Sequence, residues 1–242
     1  TLNNNTDAEN PLQVNKEVNK PTFNKPHKNL VFTSAGDNTK FDELWIGDKQ
    51  NFDVMVVYYG KNDSIYKKYA SKVDYILKRK GSKFQNFHHI YENYQDVLSK
   101  YERFFILDDD IIFYVDDINN MFAISEKYNL DICGPTFKNT TECKISHDIT
   151  KTHKQKNQIR YTNVVEVNVP LFNRPALDKL MKYYDPILIG WGIDYLYIWA
   201  LTNNKKESEY NRKIALIDSI SCINPFDTKK NNRRELNNIV NV

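Results

Sequence analysis

The chain has 242 residues, of which 40% are hydrophobic and 13% aromatic, enough for one large domain with a substantial core. The 34 lysine and arginine residues exceed the 31 aspartate and glutamate residues by three, which is too little to predict nucleic-acid binding. No run of about 18 apolar residues occurs, so no membrane span is predicted within this chain.

The three cysteines, Cys133, Cys143 and Cys222, form no CxxC pair and no even framework. This pattern favours free thiols in a soluble chain and a reducing compartment, and therefore a cytoplasmic location. The first residue is Thr1 rather than methionine, and a luminal location is expected if an N-terminal anchor originally preceded it. The sequence leaves the compartment open between these two.

The first 28 residues are rich in asparagine, lysine and proline and contain few apolar side chains. This composition predicts a flexible arm at 1–28 that precedes a single globular domain at 29–242. Short runs of β-branched and aromatic residues then predict three strands, at 30–34, 53–59 and 73–77.

The next segment contains the clearest helical pattern and the most hydrophobic strand. From 84 to 101, aromatic and apolar residues recur every three or four positions, which predicts one long helix with a buried face. The run 103–107 that follows predicts a strand buried on both faces. Further along, helices are predicted at 116–128, 175–184 and 195–201, strands at 130–133, 164–169 and 214–217, and a flexible polar loop at 138–158.

Strands and helices therefore alternate along most of the chain. This order predicts an α/β sandwich with a central, mostly parallel sheet and helices on both faces. Ligands of such sheets bind at the carboxyl ends of the strands, near the point where the strand order reverses. Polar residues that directly follow a predicted strand are thus the first candidates for a functional site.

Three consecutive carboxylates, Asp108, Asp109 and Asp110, directly follow the buried strand 103–107. Carboxylates this close repel one another in a low-dielectric setting, unless a cation lies among them. Their hard oxygen ligands suit Mg²⁺ or Mn²⁺, which can in turn hold a diphosphate and offset the charge that builds on it as it leaves. The alternative is a solvated acidic turn.

A second candidate is the segment Gly190-Trp191-Gly192-Ile193-Asp194, directly before an apolar helical run. Two glycines around a tryptophan predict a bend with an exposed ring and open backbone amides. Asp194 would lie at the helix N-terminus, where the macrodipole favours a negative charge. Its carboxylate would then be placed to act as general base toward an acceptor hydroxyl, or simply to cap its helix.

Weaker candidates lie elsewhere. The basic run 78–83 precedes the long helix, where Lys80 and Lys83 would meet phosphates, although such runs are more often solvated. Asp218 and Asn224 follow the last predicted strand, where a returning segment could close over a metal. The histidines fit no zinc pattern.

Taken in order, these segments resemble a known family. The acidic triplet after an aromatic strand is similar to the Asp-x-Asp motif of glycosyltransferases with the GT-A fold. Four segments together, 104–110, 165–172, 190–194 and Asp218-Ser219, resemble the DUF-707 family, over about 29–224. The segment 190–194 is also similar to the Trp-Gly-Gly-Glu-Asp stretch of inverting galactosyltransferases. The resemblance implies a GT-A-like three-layer sandwich with a mixed central sheet.

The resemblance also implies roles for individual residues. Asp108 and Asp110 would contact the metal and, with Asp109, the donor, and Asp194 would be the catalytic base. Asn224 stands where the family usually has a histidine, a third metal ligand, so this ligand would be weaker. The nucleotide would be held by Thr33, Ser34, Ala35 and Asp37, with Lys80 and Lys83 as further donor contacts, and the acceptor by Asn168, Trp191, Gly192 and Asp218.

The sequence therefore predicts a metal-dependent glycosyltransferase. It would use Mn²⁺ or Mg²⁺ and move a sugar from a nucleotide-sugar donor, a UDP-sugar, to a hydroxyl of a glycan acceptor with inversion at the anomeric carbon. The expected partners are the donor and the glycan, without nucleic acid, and the chain is expected to be a monomer or weak oligomer. Two alternatives are a catalytically inactive nucleotide- or sugar-binding module of the same fold and a metal phosphoesterase.

Overall fold

The computed structural model of the chain describes residues 11–14, 27–153, 157–203, 205–206 and 212–226. Within these ranges, nine strands form one mixed sheet. In chain order they are β1 (Gln13–Val14), β2 (Asn29–Ala35), β3 (Asp53–Tyr58), β4 (Tyr75–Lys78), β5 (Arg103–Ile106), β6 (Ile132–Phe137), β7 (Arg160–Tyr161), β8 (Leu171–Asn173) and β9 (Ile214–Cys222).

Helices connect most of these strands, and a short 3-10 turn lies at Asp148–Thr150. Among the described residues, no helix is both long and apolar enough to cross a membrane. The three cysteines are buried free thiols, as predicted. The α-helices are α1 (Phe41–Leu44), α2 (Asp63–Ala70), α3 (Lys83–Asn93), α4 (Gln95–Leu98), α5 (Val115–Lys127), α6 (Arg174–Tyr183) and α7 (Ile193–Thr202).

The strand order across the sheet is β1-β4-β3-β2-β5-β8-β6-β9-β7. Strands β2 to β5 run parallel to one another and β6 is parallel to β9, whereas β8 is antiparallel to both its neighbours, β5 and β6. The chain leaves β2 toward β3 and β4 on one side and then returns to β5 on the other. The carboxyl ends of β2 and β5 therefore flank a point where the strand order reverses, the usual ligand site of such sheets.

The sheet is covered on both faces, which confirms the predicted sandwich. On β5, Phe105 faces the layer that contains α1, α2 and α5, and its ring lies 6.0 Å from that of Phe122. Phe104 faces the opposite layer of α3, α4, α6 and α7, and its ring lies 6.3 Å from that of Phe87. All four residues of β5 are buried, as expected for a strand covered on both sides.

Two predicted elements differ in extent. The long helix predicted at 84–101 is interrupted at Tyr94, whose backbone (φ −131°, ψ 43°) leaves the helical region and separates α3 from α4. Strand β6 does not stop at Cys133 but continues through Pro135. At Gly134 and Pro135 its strand partner among the described residues is β9 alone, so the missing N–H of proline is tolerated there. Phe137, at the end of β6, also forms a parallel bridge with Lys151.

The predicted strand at 164–169 is wrong. This segment contains turns, and the strand that enters the sheet is β8, a few residues later. The segment instead crosses over β6 at Gly134, where there is no room for a side chain. A Cβ atom on Gly134 would lie 2.9 Å from Val165 Cγ1 and 3.2 Å from the Val169 carbonyl oxygen. The crossing segment is what brings Asn168 to the acidic triplet.

Gly134→Ala is therefore expected to lower the free energy of unfolding by about 1 to 3 kcal/mol, because the added methyl group overpacks the crossing. Gly190→Ala is the matched control, since no atom lies within 4 Å of a Cβ built there. Thermal unfolding of both variants measures the difference. An unchanged melting temperature in Gly134→Ala would contradict the tight crossing.

The predicted arm lies mostly outside the described residues, which omit 1–10 and 15–26. Within it, Gln13–Val14 pair antiparallel with β4, and His27 Nδ1 lies 2.7 Å from Asp53 Oδ1. The end of the predicted domain, 227–242, also lies outside the described residues, as does 154–156 in the predicted flexible loop. The division into an arm and one domain stays a prediction.

Candidate functional site

The acidic triplet lies at the carboxyl edge of the sheet, directly after β5. The N–H of Asp108 donates to the carbonyl oxygen of Asn168 (2.9 Å), and the three aspartates are partly exposed. A short antiparallel bridge between Ile112 and Ile223 then brings the segment after β9 back beside the triplet. The site is thus built from three stretches of chain that are distant in sequence.

Asp108 is held by two side chains. Its Oδ1 lies 2.8 Å from the ammonium of Lys83, and its Oδ2 accepts a hydrogen bond from the Asn168 amide. The Lys83 ammonium also donates to three backbone carbonyls, of Ile106 (3.3 Å), Val167 (2.6 Å) and Asn168 (3.3 Å). Burial lowers the pKa of Lys83, and the negative charge of Asp108 acts against that shift. Lys83 is therefore an internal counter-ion of Asp108.

The start of α3 fixes the position of Lys83. Ser82 caps the helix: its hydroxyl accepts from the N–H of Gln85, and the Gln85 side chain accepts from the N–H of Ser82 at 2.9 Å. This reciprocal arrangement orders the first turn. The Gln85 amide also donates to the carbonyl of Pro186 (2.8 Å), which ties α3 to the segment between α6 and α7.

Asp109 connects the triplet to the end of β2. Its Oδ2 accepts from the N–H of Gly36 (3.1 Å) and from the hydroxyl of Tyr59 (3.4 Å), and its carbonyl accepts from the hydroxyl of Thr39. A Cβ atom on Gly36 would lie 2.9 Å from the Tyr59 hydroxyl, so glycine permits this close approach. The ends of β2, β3 and β5 are thereby joined at one carboxylate.

The predicted nucleotide-binding residues of β2 are largely enclosed. Thr33 and Ala35 have no exposed surface, and the hydroxyl of Thr33 has no hydrogen-bond partner among the described residues. The hydroxyl of Ser34 accepts from the amide of Asn86, which itself accepts from Arg79 (2.6 Å). The structure does not bring these three side chains to the surface of the site, so their predicted contact with a nucleotide stays a prediction.

Asp37 and Lys80 lie nearer to the solvent. Burial would raise the pKa of Asp37, but hydrogen bonds from the Tyr58 hydroxyl and from the N–H groups of Lys61 (3.2 Å) and Asn62 (3.3 Å) outweigh it and hold that pKa below its ordinary value. Burial and the same carboxylate raise the pKa of Tyr58 to about 12. The ammonium of Lys80 donates to the carbonyl of Tyr59.

The second candidate segment begins α7. Gly192 adopts the left-handed region (φ 86°) as the residue that precedes the helix, which favours glycine there. Trp191 is 93% exposed, and Asp194, in the first turn, is half-buried. The hydroxyl of Tyr197 donates to the carbonyl of Val165, which anchors α7 to the same crossing segment that carries Asn168. This segment is the physical link between the two predicted halves of the site.

The two residues predicted after the last strand lie in different surroundings. Both carboxylate oxygens of Asp218 accept from Arg160, at 2.9 and 3.1 Å, and the side chain is only 3% exposed. Asn224 follows the bridge between Ile112 and Ile223, so its backbone lies opposite Ile111, the residue after Asp110, and its N–H donates to the Cys143 sulfur. The structure thus brings the backbone of Asn224 beside the end of the triplet, and its predicted role as a metal ligand stays a prediction. The Asp218 carboxylate lies against Arg160 instead.

The fit of a divalent cation can be judged from the donors around the triplet. Both oxygens of Asp108 already receive donors, and one oxygen of Asp109 receives two. Within the described ranges, no group of three or more acidic, histidine or cysteine side chains could hold a metal ion. The side chains of the described residues therefore do not form a complete cation site by themselves.

Several residues of the site were missed by the sequence analysis. Tyr59 was interpreted only as the end of a strand, and Asn86 as part of a helix with an apolar face, yet both bind residues of the site. The crossing segment also contains a buried acid that the sequence analysis did not single out. This residue, Glu166, is only 4% exposed, accepts from the hydroxyl of Thr150 and lies 2.9 Å from His147 Nδ1. For Asn86 the available indication was a polar residue placed between Phe84 and Phe87 in the predicted helix.

No protein-family model matches the chain, and no curated protein matches it. Solved structures do match its fold. The structure of S. aureus TarS 1–349 aligns with a TM-score of 0.58 at 13% identity, over 81% of this chain and 59% of that one. TarS 1–349 in complex with UDP-GlcNAc gives 0.52 at 12% identity, over 81% and 57%. GalNAc-T7 with UDP, GalNAc and Mn²⁺ gives 0.52 at 11% identity, over 81% and 42%.

At these identities the likeness concerns the fold alone. It confirms the predicted α/β architecture as the GT-A-like fold of glycosyltransferases. The chain spans 59% of the TarS 1–349 structure that it matches. The narrower resemblance to the DUF-707 family is not confirmed, since no family model matches.

Proposed function

We propose that the chain transfers a sugar from a UDP-sugar to a hydroxyl group of a glycan. The observation that carries the proposal is the acidic triplet at the strand-order reversal of a GT-A-like sheet, tied to the end of β2 through Asp109 and Gly36. The nucleotide in the structures of TarS with UDP-GlcNAc and of GalNAc-T7 with UDP supports UDP as the nucleotide to test first.

In this proposal the donor lies over the triplet, with the predicted contacts at Asp37 and Lys80 on its solvent side. Lys83 pairs with and orients Asp108, and we assign the contacts of the cation and the donor to the other two carboxylates, Asp109 and Asp110. A metal requirement fits these residues only if Asp110, Asn224 and the phosphates of a bound donor together supply the ligands of the cation. Hard oxygen ligands of this kind suit Mn²⁺ and Mg²⁺. Mn²⁺ accompanies UDP in the GalNAc-T7 structure.

Asp194 is the proposed general base. It would accept the proton of the acceptor hydroxyl while that oxygen forms a bond to the anomeric carbon, and the bond from that carbon to the diphosphate breaks on the opposite side. UDP leaves with the electron pair, and the configuration at the anomeric carbon inverts. The partial exposure of Asp194 beside Trp191 and Gly192 is consistent with access for an acceptor. In this mechanism Asn168 acts by holding Asp108 in position. No contact with the donor or the acceptor is proposed for Asp218.

Calorimetric titration with UDP tests the donor site. We expect binding to the wild-type chain that strengthens with Mn²⁺, and we expect Asp110→Ala to remove the Mn²⁺-dependent part, because the proposal assigns the carboxylate of Asp110 to a cation shared with the donor phosphates. Asp116→Ala, at an exposed carboxylate on α5, is the matched control and should bind as the wild type does. Equal UDP affinity with Mn²⁺ in Asp110→Ala and the wild type would exclude the proposed anchor.

A catalytically inactive binding module of the same fold is the second candidate. Asn224 in place of a stronger ligand and the two donors on Asp108 favour it, since both weaken the case for a tightly bound cation. Such a module would bind UDP in the titration yet release no UDP from any UDP-sugar. The two functions therefore differ in turnover and not in binding.

A further inference from the structure

Large apolar side chains are exposed in one region beside α7. Trp191 is 93% exposed, Ile187 80%, Tyr195 72%, Trp199 46% and Tyr183 43%. We refer to these five residues as the aromatic strip. Isolated exposed apolar residues are common on protein surfaces, but a contiguous patch usually marks a binding surface.

The strip follows one side of α7 and continues onto α6. Tyr195 and Trp199 are four residues apart in α7, so their side chains share a face and lie about 6 Å apart along the axis. The ring of Trp199 packs edge-to-face on Tyr183 at the end of α6, with 5.1 Å between centroids. On the opposite side of the same helix, Ile193 and Tyr197 are buried in the core.

Helix α7 is thus apolar on its outer side as well as its inner side. A helix with this pattern is normally covered on both sides, so its outer face is expected to have a partner. Trp191 lies three residues before Asp194, so the strip begins next to the proposed catalytic base in the sequence. This adjacency to the base distinguishes the strip from the other exposed apolar residues.

We propose that the aromatic strip binds an extended, uncharged glycan acceptor whose reacting end lies at Asp194. This inference rests on the proposed function and adds that the acceptor is an oligosaccharide or polysaccharide rather than a single sugar. Sugar rings present C–H faces that pack on aromatic side chains, while tyrosine hydroxyls and the tryptophan N–H can bond to their hydroxyl groups. Successive rings along α7 would accommodate successive sugar units.

The charges around the strip favour a neutral polyhydroxyl ligand over an anionic membrane. Charges of both signs lie near the strip in the sequence: Asp185 and Asp194 on either side of the Ile187–Trp191 segment, and Lys205 and Lys206 after the end of α7. They provide no uniformly basic surface of the kind that attracts anionic headgroups. Lys182 provides a positive charge next to the strip, but its ammonium lies 5.6 Å from the Tyr183 ring centroid, in a cation–π contact. Aromatic rings, rather than long aliphatic side chains, make up four of the five members.

The test uses fluorescence titration with neutral chito- and malto-oligosaccharides, from disaccharide to hexasaccharide. Trp45 is fully buried, so a response to ligand is expected from Trp191 and Trp199. We expect at least one series to bind, with affinity that rises about tenfold or more with length. The double variant Tyr195→Ala/Trp199→Ala should lose the length dependence, whereas Tyr161→Ala, which removes an exposed ring from β7, should retain it.

Calorimetry with UDP on the same double variant separates this inference from the proposed function. We expect its UDP affinity to equal that of the wild type, while its melting temperature falls slightly, because the variant loses the packing of Trp199 on Tyr183. If the wild-type chain binds UDP but none of the oligosaccharides, or if the double variant keeps the length dependence, the glycan surface is excluded. Two other results would also overturn it: anionic vesicles that bind the chain and shield its tryptophans from solvent, or self-association of the wild type that the double variant abolishes. Failure of the wild type to bind UDP would instead refute the donor site.

Discussion

Replacing Lys83 with methionine is expected to lower the free energy of unfolding by about 2 to 3 kcal/mol, because it leaves Asp108 without its counter-ion. The Lys83 side chain is 10% exposed, and its ammonium bonds to Asp108 and three carbonyls, all of which would lose a donor. UDP affinity should fall as well, since an additional uncompensated negative charge at the triplet repels a diphosphate. Chemical denaturation and calorimetry measure the two effects.

The double variant Lys83→Met/Asp108→Asn provides the decisive comparison. If the two groups act as a pair, the double variant should be more stable than Lys83→Met alone, so the two single effects do not add. Lys78→Met, which removes a lysine paired with the exposed Asp63, is the control and should change stability by no more than about 0.5 kcal/mol. Strictly additive effects of the two substitutions would contradict the pairing of Lys83 with Asp108.

Asp194→Asn is expected to reduce sugar transfer by a factor of about 10² to 10⁴, because loss of a general base costs roughly this much. UDP affinity should not change, since in this account Asp194 acts on the acceptor and not on the donor. Rates of UDP release with saturating acceptor, together with calorimetry of the same preparation, measure both quantities.

If Asp194 only stabilises the first turn of α7, where its Oδ1 accepts from the N–H of Tyr195 (3.1 Å), the substitution gives a different result. The melting temperature would then fall, by the equivalent of about 0.3 to 1 kcal/mol, and transfer would follow stability alone. Asp185→Asn is the control because Asp185 is an exposed acid whose Oδ1 accepts from the N–H of Ile187 nearby. A transfer rate in Asp194→Asn equal to that of Asp185→Asn would exclude the catalytic role.

The elements that follow from local pattern were predictable from the sequence. The run 103–107 is apolar at nearly every position, so a strand covered on both faces was the expected result and is what the structure has. Helix α3 begins at Lys83, and the apolar spacing from Phe84 onward identified its buried face. In both cases the information lies within a few neighbouring residues.

The features that depend on distant contacts were not predictable. The segment 164–169 has the β-branched composition of a strand, but the lack of a side chain at Gly134 lets it cross over β6 instead. Lys83 looked like part of a solvated basic run, yet the carbonyls of Ile106 and Val167 enclose its ammonium. No local pattern records which backbone atoms will surround a side chain after folding.

The same limit applies to the site. Asp108 and Asp194 were each found from their immediate neighbours, but their connection runs through the crossing segment, which contacts Asp108 at Asn168 and α7 at Val165. Asp218 looked available after the last predicted strand, whereas Arg160, far from it in the sequence, binds both of its oxygens.

The measurement that tests the central claim most directly is the release of UDP from UDP-sugars by the wild-type chain. UDP-GlcNAc, UDP-galactose and UDP-glucose would each be incubated with the protein and Mn²⁺, with and without neutral oligosaccharides. The account predicts that at least one UDP-sugar releases UDP faster with protein than without it, that an oligosaccharide accelerates the release, and that Asp194→Asn abolishes the acceleration. UDP that binds to the protein but is released from none of the UDP-sugars would contradict the transferase and identify a binding module.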